Sequence, residues 1–412
     1  MLRLRRSIRH IVAALAALVV AGSQAAPILA QDYFVYFGTY TGFKYMKKGA
    51  PAGRSLSKGI YVSRFQPATG ELSDARLAAE IVNPSFLAIH PNHKFLYSVI
   101  EDPLSLGPAL DKASFVSAFA IDPAQGNLRL LNTVPTGGTS TCYLSLDKTG
   151  KYVLLANYGD GSVAVRRLKA DGSLGEQTAF MRFTGHGVDP SYQLGPHAHS
   201  IDVSADNRFA VVSDLGTDKV RLLRFDAESG QLTPNDPPDV DVRPAAGGPR
   251  HFTFPPDGKH GYLLSEMSGI VTVYDWDAAR GVLKEVQAVH TMPADFNMYQ
   301  DASLVNPYRS AEVVVHPSGK YLYESNRGAD TIGVYAVNAV DGNLSRIQEV
   351  SSRGITPRQF AIDPTGNYLL AANQITDGVA IFRIEDGSGR ILAMRSALRV
   401  ETPVCVKFVP AN

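Results

Sequence analysis

The sequence predicts an all-β protein, a seven-bladed β-propeller made of four-stranded blades. Three observations predict it. One pattern recurs six times at a period of about fifty residues: an apolar strand, a turn rich in Pro, Asp and Gly, and a second apolar strand. The apolar runs are short and alternating, which is the period of strands, and their punctuation is that of hairpins. The two ends of the chain carry complementary pieces of a seventh unit.

The six segments are "SFLAIHPNHKFLYSVIE", "CYLSLDKTGKYVLLANY", "HSIDVSADNRFAVVSDL", "RHFTFPPDGKHGYLLSEM", "AEVVVHPSGKYLYESNR" and "RQFAIDPTGNYLLAANQ". Most continue into a third strand, as in "SVAVRRL", "KVRLLRF" or "TIGVYAV". A turn such as "DPAQGNLRL" or "DAESGQLTP" then leads to a fourth. Four strands at this period make a propeller blade; a solenoid repeat is shorter, and a sandwich does not repeat. "YFVYFGTY" (33–40) and "GIYVSRF" (59–65) read as second and third strands lacking a first, and "PVCVKF" (403–408) as a first strand lacking the rest. Paired across the termini they form one blade and remove the open edges of the ring. A single domain is therefore expected over 32–412.

The segment before it reads as a signal peptide, 1–30. Arg3, Arg5, Arg6 and Arg9 form a positive n-region, Ile11 to Ala21 an apolar h-region, and small residues near Ala25 and Ala30 suit cleavage. Arg5-Arg6 fits an ordinary charged n-region or a twin-arginine signal. Export is expected, with a periplasmic or secreted mature protein, a monomer with no membrane span after cleavage. With 45% hydrophobic residues the chain can build a large core, and a net charge of +1 with no later basic run argues against nucleic acid as a partner.

In a propeller the innermost strands line the central channel. Equivalent positions then form rings around it. Aligning first strands places Ser85, Cys142, His199, Arg250, Ala311, Arg358 and Val404 in one ring, and Phe86, Tyr143, Ser200, His251, Glu312, Gln359 and Cys405 in the next. Strand alternation predicts that only one of these rings faces the channel. Aligning second-strand ends groups Ile100, Asn157, Asp214, Glu266, Asn326 and Asn373, with Glu101, Tyr158, Leu215, Met267, Arg327 and Gln374 one step on. All these positions lie on one face of the disc. The insertions 41–58, 101–114, 181–196 and 291–309 fall on that same face, where function is expected to concentrate. Cys142 and Cys405 sit on separated blades and are expected to be free buried thiols.

His199, Arg250, Glu266 and Arg327 are the candidate catalytic residues, with His197, His251, Arg358, Glu312 and Gln359 as candidate substrate-binding residues. Several guanidiniums near one axis repel unless anions lie among them. Glu266 supplies one, and a substrate phosphate or carboxylate can supply another. A His beside a carboxylate can activate water, and an Arg can stabilise the oxyanion formed at an attacked carbonyl. The set suits hydrolysis of an ester or lactone, or the reverse ring closure. The plainer reading of Arg250 with Glu266 is a structural ion pair tying two strands, and the recurring Asn and Asp residues suit capping of turns. "PHAHS" puts His197 and His199 on one face, but no third compact ligand completes a metal site, so neither metal nor cofactor is expected.

These motifs resemble the lactonase family of seven-bladed β-propellers, which includes the propeller type of bacterial 6-phosphogluconolactonase. "YFGTYTG", "GPHAHSIDVSADNRFAVVSDLGTDKV", "GPRHFTF" and "SAEVVVHPSGKYLYESNRG" carry the resemblance, which spans nearly the whole mature chain. The fold is also similar to that of fungal carboxy-muconate cyclase, whose proposed site has His, Arg, Glu and Arg in chain order. That order matches His199, Arg250, Glu266 and Arg327 here. The resemblance implies a hydrolase acting on an anionic sugar lactone without a metal. The alternatives are a non-catalytic ligand- or protein-binding propeller and a lactonising cycloisomerase.

Overall fold

The computed structural model describes residues 31–42, 55–101, 113–292 and 309–411. The expected signal peptide and most of three insertions (41–58, 101–114 and 291–309) lie outside them; the insertion 181–196 lies within. The described residues form only strands and loops, numbered β1 (Tyr33–Thr39) to β29 (Pro403–Pro410), arranged in seven antiparallel sheets. Six sheets are four-stranded meanders, each following the chain from the axis outward. The seventh joins the termini. In it β29 is innermost and pairs with β1, from Tyr33 opposite Pro410 to Gly38 opposite Cys405, and β1 pairs with β2 (Gly59–Gln66). The protein is thus a seven-bladed β-propeller, closed as its end sequences predict.

The repeat shows how local chemistry makes a blade. In "FTFPPDGKHGYLL" the turn between β17 (Pro249–Thr253) and β18 (His260–Ser265) is closed by Gly258 N–H donating to Pro255 O (3.0 Å) and Lys259 N–H to Asp257 Oδ1 (3.0 Å). Gly258 has φ +63°, a conformation that favours glycine. The aligned turn residues Lys94, Lys151, Arg208, Lys259 and Lys320 are all exposed. Second strands such as β10 (Tyr152–Asn157) and β26 (Tyr368–Asn373) are buried throughout, and apolar clusters fill the wedges between blades. Blades are also tied by a repeated polar contact. The hydroxyls of Tyr36, Tyr97, Tyr262 and Tyr323 donate to the carbonyls of Gly126, Gly172, Gly342 and Gly389 in the next blade, at 2.8–3.0 Å.

Two features of the inner strands differ from expectation, and both bear on the site. The first-strand register breaks at the same point in six blades, at Cys142, His199, Arg250, Ala311–Glu312, Arg358 and Val404. Each break is a β-bulge that leaves these residues unpaired in the ladder. A bulge interrupts strict alternation. Adjacent ring positions are therefore not sent to opposite faces: Cys142 meets His199 and Arg250 meets Ala311 in one ring, while Phe86, Tyr143, His251 and Glu312 meet in the next. Both rings converge on the axis, at two levels.

The second difference is a shift of one residue. Ser265, not Glu266, pairs as Asn157, Asp214, Asn326 and Asn373 do. Glu266 belongs one step on, with Glu101, Tyr158, Leu215, Arg327 and Gln374. The backbone N–H groups of Glu101, Tyr158, Leu215, Glu266 and Gln374 donate alike to Asn83, Ser140, His197, Gly248 and Thr356. Each of the turns "YGDG", "LGTD", "EMSG", "RGAD" and "QITD" is four residues long, which fixes this alignment. The displaced Asn and Asp ring caps strand ends: Asn373 donates to Ser352 O, and Asp214 accepts from His197 N–H and Arg221.

Candidate active site

Glu266 lies at the centre of the candidate site. It follows the last residue of β18, and its backbone bond to Gly248 (2.7 Å) sets it beside the strand carrying Arg250. Its Oε2 accepts a hydrogen bond from Arg250 Nε at 2.8 Å and forms an ion pair with Arg327 Nη2 at 2.9 Å. Arg309 Nη1 stands 3.7 Å from the other oxygen. Burial pushes the Glu266 pKa up, but Arg327, Arg250 and Arg309 overcome it and hold the carboxyl well below the usual carboxylate range. Burial lowers Arg327 to about 9, against the pull of Glu266, so it stays protonated at neutral pH.

The two clamping arginines are committed elsewhere as well. Arg250 is 2% exposed, and its Nη1 donates to Ala311 O and approaches His251 Nε2 at 3.1 Å. Arg327, the last residue of β22 (Tyr321–Arg327), donates to the carbonyls of Arg309 (3.3 Å) and Ser310 (3.1 Å). Arg250 has only donors, so His251 Nε2 must be the acceptor and the ring proton must sit on Nδ1, which faces Glu312 Oε1 at 2.8 Å. Burial, with Arg250 and Arg358, drives the His251 pKa well below the usual imidazole range. Glu312 is raised by burial to about 7, against Lys407 and Arg250.

His199 is buried beside Cys142, whose Sγ lies 3.6 Å from its carbonyl and 3.9 Å from its Nδ1. No hydrogen bond engages its Nε2 among the described residues. Burial first, then Arg250 and His251, push its pKa well below the ordinary value, so the imidazole is neutral at neutral pH. Cys142 and Cys405 are free and buried, and burial raises both thiols, leaving them inert. His197 stacks on Tyr158 (4.5 Å, 14°) and its Nδ1 donates to Tyr158 O at 2.7 Å; Tyr158 presents its edge to His199 at 5.6 Å.

The structure brings His199, Arg250, Glu266 and Arg327 together, with His197 beside them. Arg358 holds the rim through Tyr40, donating to its hydroxyl at 2.9 Å, and Tyr40 donates in turn to Glu101 at 2.7 Å. Glu312 and Gln359 are not brought to this mouth. Phe86, Tyr143 and His251 pack edge and face at 4.3–5.9 Å and floor the channel. Glu312 and Gln359 lie beneath, lining a separate cavity of about 240 Å³ that opens toward Lys148 and Lys407. Gln359 ties the closing strand, accepting from Val406 N–H at 2.7 Å. Among the described residues no cluster of His, Cys, Asp and Glu suits a metal ion.

Sequence reasoning missed Arg309. It is the first residue of β21 (Arg309–Val315), and its guanidinium lies 4.1 Å over the ring of Tyr192. The carbonyls at Asn83, Ser140, His197, Gly248 and Thr356 accept equivalent backbone bonds. Two positions inward from these lie Ser85, Cys142, His199, Arg250 and Arg358, and two inward from Arg309 lies Ala311. Extending the ring alignment two positions outward would have paired Arg309 with His197.

The fold and this mouth define a class: a seven-bladed propeller with a cationic, His-containing site around one clamped carboxylate. Residues 34–408 match the family described as Lactonase, 7-bladed beta-propeller, and the chain belongs to that family. It is similar to 6-phosphogluconolactonases from Bacillus subtilis (33% identity, covering 92% of this chain and 98% of the relative) and Formosa agariphila (35%, 85% and 96%). It is also similar to the solved periplasmic gluconolactonase of Pseudomonas aeruginosa, at 31% identity and TM-score 0.81, over 92% of this chain and all of that one.

Proposed function

We propose that the protein hydrolyses a sugar lactone in the mouth of the propeller, with His199 as general base and the arginines around Glu266 as electrostatic stabilisers. The observation that carries this reading is the convergence of Arg250 and Arg327 on Glu266 Oε2, next to a neutral His199. Membership of the lactonase family and similarity to enzymes named for lactone hydrolysis support it.

The division of labour follows from the electrostatics. A carboxylate held by three guanidiniums is a weak base, so Glu266 serves as the fixed anion that keeps Arg250 and Arg327 in place. Neutral His199 has a lone pair to offer. Water attacks the lactone carbonyl carbon and its proton passes to His199. The carbonyl electrons move to oxygen, and a guanidinium edge stabilises the oxyanion. Collapse breaks the acyl–oxygen bond, the ring oxygen takes the proton from His199, and a hydroxy acid leaves. The aromatic floor of Phe86, Tyr143 and His251 closes the channel below.

The N-terminal signal pattern and the periplasmic relative support action outside the cytoplasm, on an aldonolactone. The test is hydrolysis of a panel of aldonolactones, phosphorylated and not, by pure protein and by the His199→Ala and Glu266→Gln variants. Turnover lost in both variants supports the reading. Turnover equal to wild type in both would falsify it, and ring closure of an unsaturated diacid without lactone hydrolysis would favour the cycloisomerase.

A further inference from the structure

We propose that Glu312, beneath the aromatic floor, is a positioning residue for the mouth: it fixes the His251 tautomer whose lone pair holds Arg250 on Glu266. The inference rests on the lactonase reading above and adds to it a residue that acts from below the floor.

The contacts run from one level of the channel to the other. Glu312 Oε1 accepts from His251 Nδ1–H at 2.8 Å, His251 Nε2 meets Arg250 Nη1 at 3.1 Å, and Arg250 Nε donates to Glu266 Oε2 at 2.8 Å. Glu312, His251 and Arg250 are all buried. A neutral imidazole has one N–H and one lone pair, and the partner at one nitrogen decides what the other carries. The rings around His251 do not decide it. Phe86, Tyr143 and His199 pack against it edge-on at 5.2–5.9 Å, contacts that hold its plane in either tautomer. The polar groups at its two ends decide it. With Glu312 in place the proton sits on Nδ1, and the Nε2 lone pair faces Arg250. Without that oxygen a proton on Nδ1 would be buried facing no carboxyl, and a proton on Nε2 would oppose a guanidinium donor. Arg250 would then shift, and its grip on Glu266 with it.

The fold ties Glu312 and Arg250 to each other. The bulge of β21 at Ala311–Glu312 supplies both contacts: Ala311 O accepts from Arg250 Nη1, and Glu312 reaches the same nitrogen through His251. Glu312 is itself held. Its Oε1 also accepts from Val313 N–H at 3.0 Å, and its backbone N–H donates to Ser325 Oγ at 3.2 Å. Both side-chain bonds fall on one oxygen, so a single acceptor oxygen meets the requirement and a neutral amide can supply it.

The experiment measures lactone hydrolysis by wild type, Glu312→Leu, Glu312→Gln, His251→Phe and the double variant Glu312→Leu with His251→Phe. The protonation of the His251 ring nitrogens is read by nitrogen NMR of histidine-labelled protein. Glu312→Leu should lower kcat about 10- to 100-fold, with KM changed less than about threefold, because the guanidiniums act on the oxyanion. Glu312→Gln, which keeps an oxygen for Nδ1–H, should recover most of that loss. In the His251→Phe background Glu312→Leu should cost nothing further, since its route to Arg250 is gone. Full additivity of the two losses would overturn the proposal, and so would a Glu312→Gln variant as slow as Glu312→Leu. The NMR arm does not depend on turnover. Wild type and Glu312→Gln should carry a proton on Nδ1 and none on Nε2, and Glu312→Leu should lose that pattern. This result keeps the positioning role even if no lactone is hydrolysed. A proton on Nε2 in wild type, or an unchanged tautomer in Glu312→Leu, removes the role whatever the turnover. Glu312→Met, also without a carboxyl oxygen, replaces Glu312→Leu if that variant does not fold.

Discussion

Arg250 and Arg327, from neighbouring blades, meet at the same oxygen of Glu266, one through a hydrogen bond at 2.8 Å and the other through an ion pair at 2.9 Å. Arg250 lies in the bulge of one inner strand, and Arg327 ends the second strand of the next blade. Glu266 therefore couples two blades, and its charge is what allows two buried guanidiniums to sit together.

Replacing Glu266 by Gln should be costly in two measurable ways. The isostere keeps the shape but removes the anion, leaving the buried cations uncompensated. Such changes destabilise by about 3–5 kcal/mol. The denaturation midpoint should fall accordingly, and kcat for lactone hydrolysis should fall at least about 100-fold as the arginines move apart. Unchanged stability would show that the clamp is not a structural charge pair.

The pH dependence should report His199. Its pKa is depressed by burial and by Arg250 and His251, so the base form persists below the ordinary imidazole range. The acid limb of log kcat/KM against pH should lie below about 6.5, the unperturbed value. Folding stability follows the same logic. Unfolded chains take up protons on these histidines below that value and folded ones do not, so stability contributed by His199 and His251 is lost as pH falls from about 6.5. An acid limb above 7 would assign the base elsewhere.

The fold was legible because it repeats: six copies of one hairpin and two complementary ends allow little else. The candidate site was legible in type but not in level. Aligning second-strand ends groups Glu266 with Asp214, whereas the constant four-residue turn puts Ser265 there and Glu266 beside Arg327. The bulges at His199, Arg250 and Arg358 leave no mark in composition, and without them the alternation rule separates two rings that converge. Glu312 looked like a mouth residue for the same reason. Arg309 escaped notice because it borders an insertion instead of a repeat.

Glu312 offers a test of opposite sign. Burial raises its pKa to about 7, so the folded protein keeps a proton that the unfolded chain releases near the usual carboxylate value. Stability should therefore decline as pH rises from about 4.5 to about 7 through this group, against the trend from the histidines. Glu312→Gln retains an acceptor for His251 Nδ1–H and Val313 N–H and removes the titration. The variant should be more stable than wild type by about 1–3 kcal/mol at pH 8, and this advantage should vanish near pH 4. A variant less stable at both pH values would show that the ionised carboxylate is needed to hold His251.

The tyrosine tethers test how blades act on each other. Tyr97 and Tyr262 are fully buried, and each donates at 3.0 Å to a carbonyl of the following blade, Gly172 and Gly342. Tyr→Phe at either site leaves a buried carbonyl without that donor while keeping the ring, so each change should cost about 1–2 kcal/mol. The two lie in separate apolar clusters on non-adjacent blades. If each wedge is an independent contact, the double variant should lose the sum to within about 0.5 kcal/mol. A closed ring, however, has no free end from which one interface can open alone. A double loss well above the sum, measured by denaturant unfolding of the four proteins, would show that strain at one wedge is felt at the others, through the blade that β29 and β1 close.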